Sequence, residues 1–172
     1  TNGSSSPMEI YPKAKAAALK ALEIDDTLAE GHASLAWIMA LYEWDWSGSK
    51  AEFQRAIALN PNYATAHQWY GIVLWNTGLL EESMAQEKKA LELDPLSVII
   101  NRNVGDVLLF TKNYDQAIEQ YRKTLELDPG FASAINNLAL AHVQKGMYTD
   151  AIRDYEKALG PDNPDVRADL SG

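Results

Sequence analysis

The stretch Leu91-Glu92-Leu93-Asp94-Pro95 returns as Leu125-Glu126-Leu127-Asp128-Pro129, and Pro61, Pro95 and Pro129 follow one another at one constant interval. A fixed period of about 34 residues marks stacked structural repeats, each too small to bury its apolar face alone. Each copy closes an apolar helical run and then breaks it. Proline cannot continue a helix, and it pushes the residue before it out of helical geometry.

The register rests on residue types as well as on proline. Gly71, Gly105 and Ala139 recur at the same interval, as do Ser83, Ala117 and Ala151, and Ala90, Thr124 and Ala158. Small residues let two helices approach closely, so these positions are expected at tight crossings. Tyr70, Val104 and Leu138 in the first helices, and Tyr121 and Tyr155 in the second, are expected to fill the facing holes. Gly78 and Gly146 stand where a first helix ends, the place of a left-handed cap, and Lys112 replaces them in the third copy. Asp94 and Asp128 are candidate caps for the helix after each proline. The period divides the chain into a flexible leader (1–8), a half repeat (9–28) and full repeats over 29–63, 64–97, 98–131 and 132–160. A tail (161–172) follows, whose Val166, Ala168 and Leu170 read as the start of a further repeat. The junction Tyr42-Glu43-Trp44-Asp45-Trp46-Ser47-Gly48 is one residue longer than its later counterparts. The predicted fold class is all-α, with helices over 9–24, 27–42, 47–59, 62–76, 80–93, 96–111, 114–127, 130–145 and 148–159 and no strand.

Composition narrows the function. The 172 residues hold 15 Lys plus Arg against 24 Asp plus Glu, a net charge of -9. Such a chain repels phosphate backbones, which argues against nucleic acid as a partner. It shows no basic amphipathic face for a membrane surface, and no apolar run approaches the length of a span. The absence of cysteine excludes a disulfide framework, a thiolate zinc site and a cysteine nucleophile. His32 and His67 hold the same place in successive copies and read as packing residues, with no second ligand at zinc-like spacing. There is no Gly-x-Ser-x-Gly elbow and no phosphate-binding Gly-x-x-x-x-Gly-Lys loop. Acidic pairs such as Glu81-Glu82 stand at helix starts, where carboxylates suit the dipole. No feature speaks for an enzyme, a cofactor or a metal.

Leu138-Ala139, Tyr114, Ala117, Tyr121 and Pro129, with Trp69-Tyr70-Gly71, resemble the tetratricopeptide repeat, a helix-turn-helix of about 34 residues. The resemblance covers roughly Lys13 to Leu159 and implies a right-handed solenoid that binds proteins or peptides. The stretches from Tyr42 to Trp46, from Asn60 to Tyr70 and from Asp94 to Ser97 also resemble tetratricopeptide regions of bacterial signalling and transcription-regulatory proteins. That likeness implies a regulatory setting in the cytoplasm.

In such a solenoid the first helix of each repeat lines the inner face. The stripe opposite the second helix holds Glu30, Ala33, Trp37 and Leu41, then Thr65, Gln68, Ile72, Trp75 and Asn76. It continues with Ile99, Arg102, Asp106, Leu109 and Phe110, then Ser133, Asn136, Leu140, Val143 and Gln144. Its apolar members mark a contact site or pack on the neighbouring repeat; both readings stand. Asn103 and Asn137 occupy one place in successive first helices, with Leu35 and Trp69 in the earlier copies. In peptide-binding members of the family, asparagines there clamp the peptide backbone, so a two-rung clamp is one reading and a packing role the other. The rival to a peptide groove is a structural or self-associating module. The Ala14, Ala18 and Leu22 stripe at one end, and Ile152, Tyr155 and Leu159 at the other, would then join copies end to end.

Overall fold

The structure is a computed structural model that describes residues 7–159. The leader, the tail and its Val166 and Leu170 lie largely outside the described residues. So does the Leu159 side chain. Among the described residues the chain forms α-helices and one π-helix, with no strand. The helices are α1 (Pro7–Ile24), α2 (Ala29–Ile38), α3 (Trp46–Leu59), α4 (Ala64–Asn76), α5 (Leu80–Leu93), α6 (Val98–Phe110), α7 (Tyr114–Leu127), α8 (Ala132–Gln144) and α9 (Tyr148–Leu159). The chain divides into two compact units, Thr1–Leu93 and Asp94–Gly172. In the first, α2 packs on α3, α4 on α5, and α2 also lies beside α4. In the second, α6 packs on α7, α8 on α9, and α6 lies beside α8.

The small residues expected at crossings are buried, Ala158 excepted, whose side chain lies outside the described residues. A Cβ added at Gly71 would stand 2.7 Å from Glu87 Oε1, and one at Gly105 would stand 2.5 Å from the Tyr121 ring. Glycine is therefore what lets α4 lie against α5 and α6 against α7, while buried Ala36 and Ala139 hold the same register in α2 and α8. Ser83, in the same crossing, donates to the Gly71 carbonyl at 2.8 Å. Tyr70, Val104 and Leu138 are buried, and Tyr121 is fully enclosed. Phe53 of α3 stacks on Tyr70 of α4 at 5.5 Å within the core of the first unit. Tyr155 departs from expectation: it is 39% exposed on α9, the last helix described.

Helices α2, α4, α6 and α8 start two residues later than the sequence predicts, because the turns before them are closed locally. Asp25 Oδ1 accepts from Thr27 N–H at 2.9 Å, Asn60 Oδ1 from Asn62 N–H at 3.1 Å, and Asp128 Oδ1 from Gly130 N–H at 3.0 Å. Asp128 thus closes its own turn and does not cap the next helix. Among these four starts only α6 has a side-chain cap: Ser97 accepts from Ile100 N–H.

The four junctions inside the repeats share a left-handed residue at one register: Trp44 (φ 58), Gly78 (φ 80), Lys112 (φ 63) and Gly146 (φ 73). After Gly78, Lys112 and Gly146 the next N–H reaches five residues back, Leu79 to Leu74, Asn113 to Leu108 and Met147 to His142, the Schellman closure. In the first junction Asp45 N–H reaches six back, to Met39. The extra residue is taken up by a π-helix over Met39–Glu43, whose wider turn holds one more residue per hydrogen bond. Helix starts agree: α2 begins at Ala29 and α3 at Trp46, whereas α4 begins at Ala64 and α5 at Leu80, one residue closer. By this register Ser34, not the buried Leu35, stands where Trp69, Asn103 and Asn137 stand later.

Two outcomes are expected in thermal or urea unfolding. Gly105→Ala lowers stability by about 1–3 kcal/mol, since neither the Tyr121 ring nor the helix can yield the missing space. Ser49 holds the register of Ser83, but its buried Oγ has no hydrogen-bond partner among the described residues. Ser49→Ala therefore stabilises by about 1 kcal/mol while Ser83→Ala destabilises by a similar amount. Equal effects at the two serines would contradict the assignment.

Candidate functional site

Within each unit the two first helices meet through one pair of positions. In the first unit Trp37 of α2 stacks on Trp69 of α4, centroids 5.2 Å apart at 29°. In the second unit the same two positions are Asp106 of α6 and Asn137 of α8, and the Asn137 amide donates to Asp106 Oδ1 at 2.7 Å. An aromatic stack and an amide–carboxylate bond thus do the same lateral job. Trp37 and Trp69 are half-buried and also pack on the core beneath them.

Asp106 is the centre of a larger network. It is 5% exposed, and the Tyr121 hydroxyl donates to the same Oδ1 at 2.8 Å. Arg102, one turn away, pairs with Oδ2. Burial, and then the Asp106 carboxylate, push the Tyr121 phenol well above its ordinary pKa. Tyr121 therefore stays a donor. Three donors compensate one buried carboxylate, which removes most of the penalty of taking it out of water.

These facts correct part of the predicted stripe. Asp106 and Asn103 are buried, 5% and 1% exposed, so neither stands on an open stripe. The Asn103 amide cannot reach a peptide, and that of Asn137 is committed to Asp106, so no two-rung clamp is presented. Ala33 is fully buried as well. Exposed or half-exposed on the first helices are Trp37, Gln68, Ile72 and Trp75 in the first unit. In the second unit Arg102, Phe110, Asn136 and Leu140 are so placed. The Ala18 and Leu22 pair of α1 is turned inward: Leu22 Cδ2 lies 2.9 Å from where a Gly31 Cβ would stand on α2. It is not a free end.

A second device escapes the apolar pattern. His32 Nε2 donates to the Asp26 carbonyl at 2.9 Å, His67 Nε2 to the Pro61 carbonyl at 3.0 Å, and Asn101 Nδ2 to the Pro95 carbonyl at 3.0 Å. Each also reaches the second helix of its repeat: His32 Nδ1 to Glu52 at 2.6 Å, His67 Nδ1 to Gln86 at 2.7 Å, and Asn101 Oδ1 from Gln120 at 2.7 Å. The side chain thus ties the turn to both helices. In the fourth copy Ile135 takes its place, and His142, from another position, donates to Asp154 at 2.6 Å. Glu52, Gln86, Gln120 and Asp154 follow one another at the interval of the prolines, the signal that could have exposed the device in the sequence. The histidines are thereby structural. Among the described residues no group of three His, Asp or Glu side chains gathers as metal ligands.

The Asp106 network is open to test by substitution. Tyr121→Phe removes one donor from a buried carboxylate and is expected to lower stability by about 1–3 kcal/mol, with a similar loss for Asn137→Leu. An unchanged urea midpoint in either variant would show that the network carries no load.

Comparison with known proteins gives the same answer as the geometry. Family models described as tetratricopeptide repeat match residues 40–98 and 131–165, and one described as TPR repeat matches 105–146. No curated protein matches the chain in sequence. Among solved structures it is similar to PilF of Pseudomonas aeruginosa, at 28% identity and a TM-score of 0.79, over 86% of this chain and 67% of that one. It is similar to MamA at 22% identity and a TM-score of 0.78, over 92% of this chain and 91% of that one. It is also similar to YrrB, described as a TPR protein with an unusual peptide-binding site, at 23% identity and a TM-score of 0.74, over 90% and 80%. No helix among the described residues is long and apolar enough to cross a membrane. Helix order, junction geometry, the constant repeat register and the matched repeats agree: the chain belongs to the tetratricopeptide-repeat family and has its all-α solenoid fold, in general a module for protein interaction and not for catalysis.

Proposed function

We propose that the chain is a protein-interaction scaffold that binds a peptide or a helix of a partner on the first-helix face of its units, within a larger regulatory protein. The observation that carries this reading is a pinned face with surface left over for contact. Its seams are held by the Trp37–Trp69 stack and the Asp106–Asn137 bond. On the same helices, Gln68, Ile72 and Trp75 are half-buried in one unit, and in the other Asn136 and Leu140 are exposed and Arg102 half-buried. A face already ordered loses little entropy on binding, and apolar groups rimmed by amides and a guanidinium suit a peptide's mixed surface. The description of YrrB as a peptide-binding TPR protein supports the same class of ligand.

Self-association is the second reading. Tyr148, Ile152 and Tyr155 form an exposed stripe at helical spacing on α9. A stripe of this kind is a surface that another copy could cover.

Peptides selected from a displayed random library on the wild-type protein test the first reading. Gln68→Ala combined with Leu140→Ala is expected to weaken the selected peptides about tenfold or more, the loss of one or two kcal/mol of contact. Lys88→Ala and Arg122→Ala, on exposed positions of second helices, should leave binding unchanged. The reverse pattern would move the site to the other face. Sedimentation across a wide concentration range tests the second: Ile152→Glu should abolish any dimer, and a strict monomer throughout removes that reading.

A further inference from the structure

We propose that Trp44, flanked by Glu43 and Asp45, is a docking point for a cationic side chain, lysine or arginine, on a basic segment of a protein partner. The site lies at the first junction and does not depend on the reading above.

Four observations converge. Trp44 sits in the left-handed region at φ 58, a conformation disfavoured for residues with a Cβ; the same register holds glycine at Gly78 and Gly146 and the flexible Lys112 in the third copy. Tryptophan there makes folding harder, not easier. Nor is burial the compensation: Trp44 is 70% exposed, whereas Trp37, Trp46 and Trp69 pack against the core and Trp75 is half-buried. The ring is held in place nonetheless. The Trp44 and Asp45 N–H groups both donate to the Met39 carbonyl, Asp45 Oδ1 accepts from Gly48 N–H at 2.8 Å, and Trp46 meets Trp44 edge to face at 5.7 Å. An aromatic face fixed before binding spares the partner most of the ordering entropy.

Charge selects the occupant. The sequence alternates aromatic and acid, Tyr42-Glu43-Trp44-Asp45-Trp46. Glu43 is engaged by Lys15 of α1, while no lysine or arginine pairs with Asp45 among the described residues. The Asp45 carboxylate caps α3 through Gly48 N–H but has no cationic partner among the described residues. An exposed indole beside it is complementary to an ammonium or guanidinium group: the ring face attracts the cation and the carboxylate supplies the counter-charge. The net charge of -9 steers basic segments toward the surface and repels acidic ones. A neutral apolar partner would gain nothing from the carboxylates, and an anionic one would be opposed by them.

The probe is a fluorescein-labelled octa-arginine peptide, followed by anisotropy at physiological ionic strength on the whole chain. Trp44→Gly leaves the net charge unchanged, so it separates the ring from general attraction. It is expected to weaken binding roughly fivefold, the strength of one cation–π contact, while its thermal midpoint equals or exceeds that of the wild type. Asp45→Asn keeps an oxygen for Gly48 N–H and should also weaken binding, and Trp44→Phe should retain most of it. Should Trp44→Gly fail to fold, Trp44→Asn gives the same readout, since asparagine tolerates the left-handed region. Equal affinity of wild type and the folded ring-less variant, or no binding by the wild type, overturns the proposal. A ring-less variant that binds roughly fivefold more weakly with its stability intact supports it.

Discussion

Close approach of the paired helices governs the rest of the structure. At Gly71 and Gly105 the first-helix backbone lies directly against a side chain of the second helix, with no room for a Cβ. From that approach follow the Ser83 bond to the Gly71 carbonyl and the reach of Tyr121 to Asp106. The register admits different fillers. Phe53, Glu87 and Tyr121 hold one register in successive second helices, and all are fully buried. What is fixed is a fully buried side chain opposite the small residue. The polarity is adjusted by partners on neighbouring helices.

Much of the fold is legible in the sequence because its physical causes are local. Proline ends helices, glycine at 78 and 146 adopts the left-handed cap, and small residues at 71, 105 and 139 mark crossings. Helix starts fall two residues beyond the apolar pattern because Asp25, Asn60 and Asp128 close turns with their own side chains. A pattern of apolar residues does not register such turns. The face of the first helices is legible only in outline. Periodicity says which residues share a stripe, but not which members of it are bonded to the next helix. Asp106 and Asn137 look like surface polar residues in one dimension and are a bonded pair, with Asp106 buried, in three.

The tie between turn and helices shows why role is harder to read than residue. Histidine, histidine and asparagine occupy one register at 32, 67 and 101, and all donate to a turn carbonyl. Their partners are a glutamate and two glutamines. An imidazole and a carboxamide differ in every bulk property, yet each offers the N–H the turn carbonyl needs and a second polar atom for the opposite helix. Searching by residue identity misses the equivalence; searching by donor and acceptor inventory at constant spacing finds it.

The π-turn at Met39–Glu43 has a consequence for how such a chain tolerates change in length. The surplus residue is swallowed where it arises: α3, α5, α7 and α9 begin at 46, 80, 114 and 148, in step with one another. No later helix is rotated about its axis by the insertion, as it would be if the extra residue had entered an α-helical turn and shifted every following side chain by about 100°. The junction behaves as an expansion joint. Insertions there alter the local surface and leave the rest of the array in phase, so variation in surface chemistry can accumulate at the junctions without asking the packed helices to adapt.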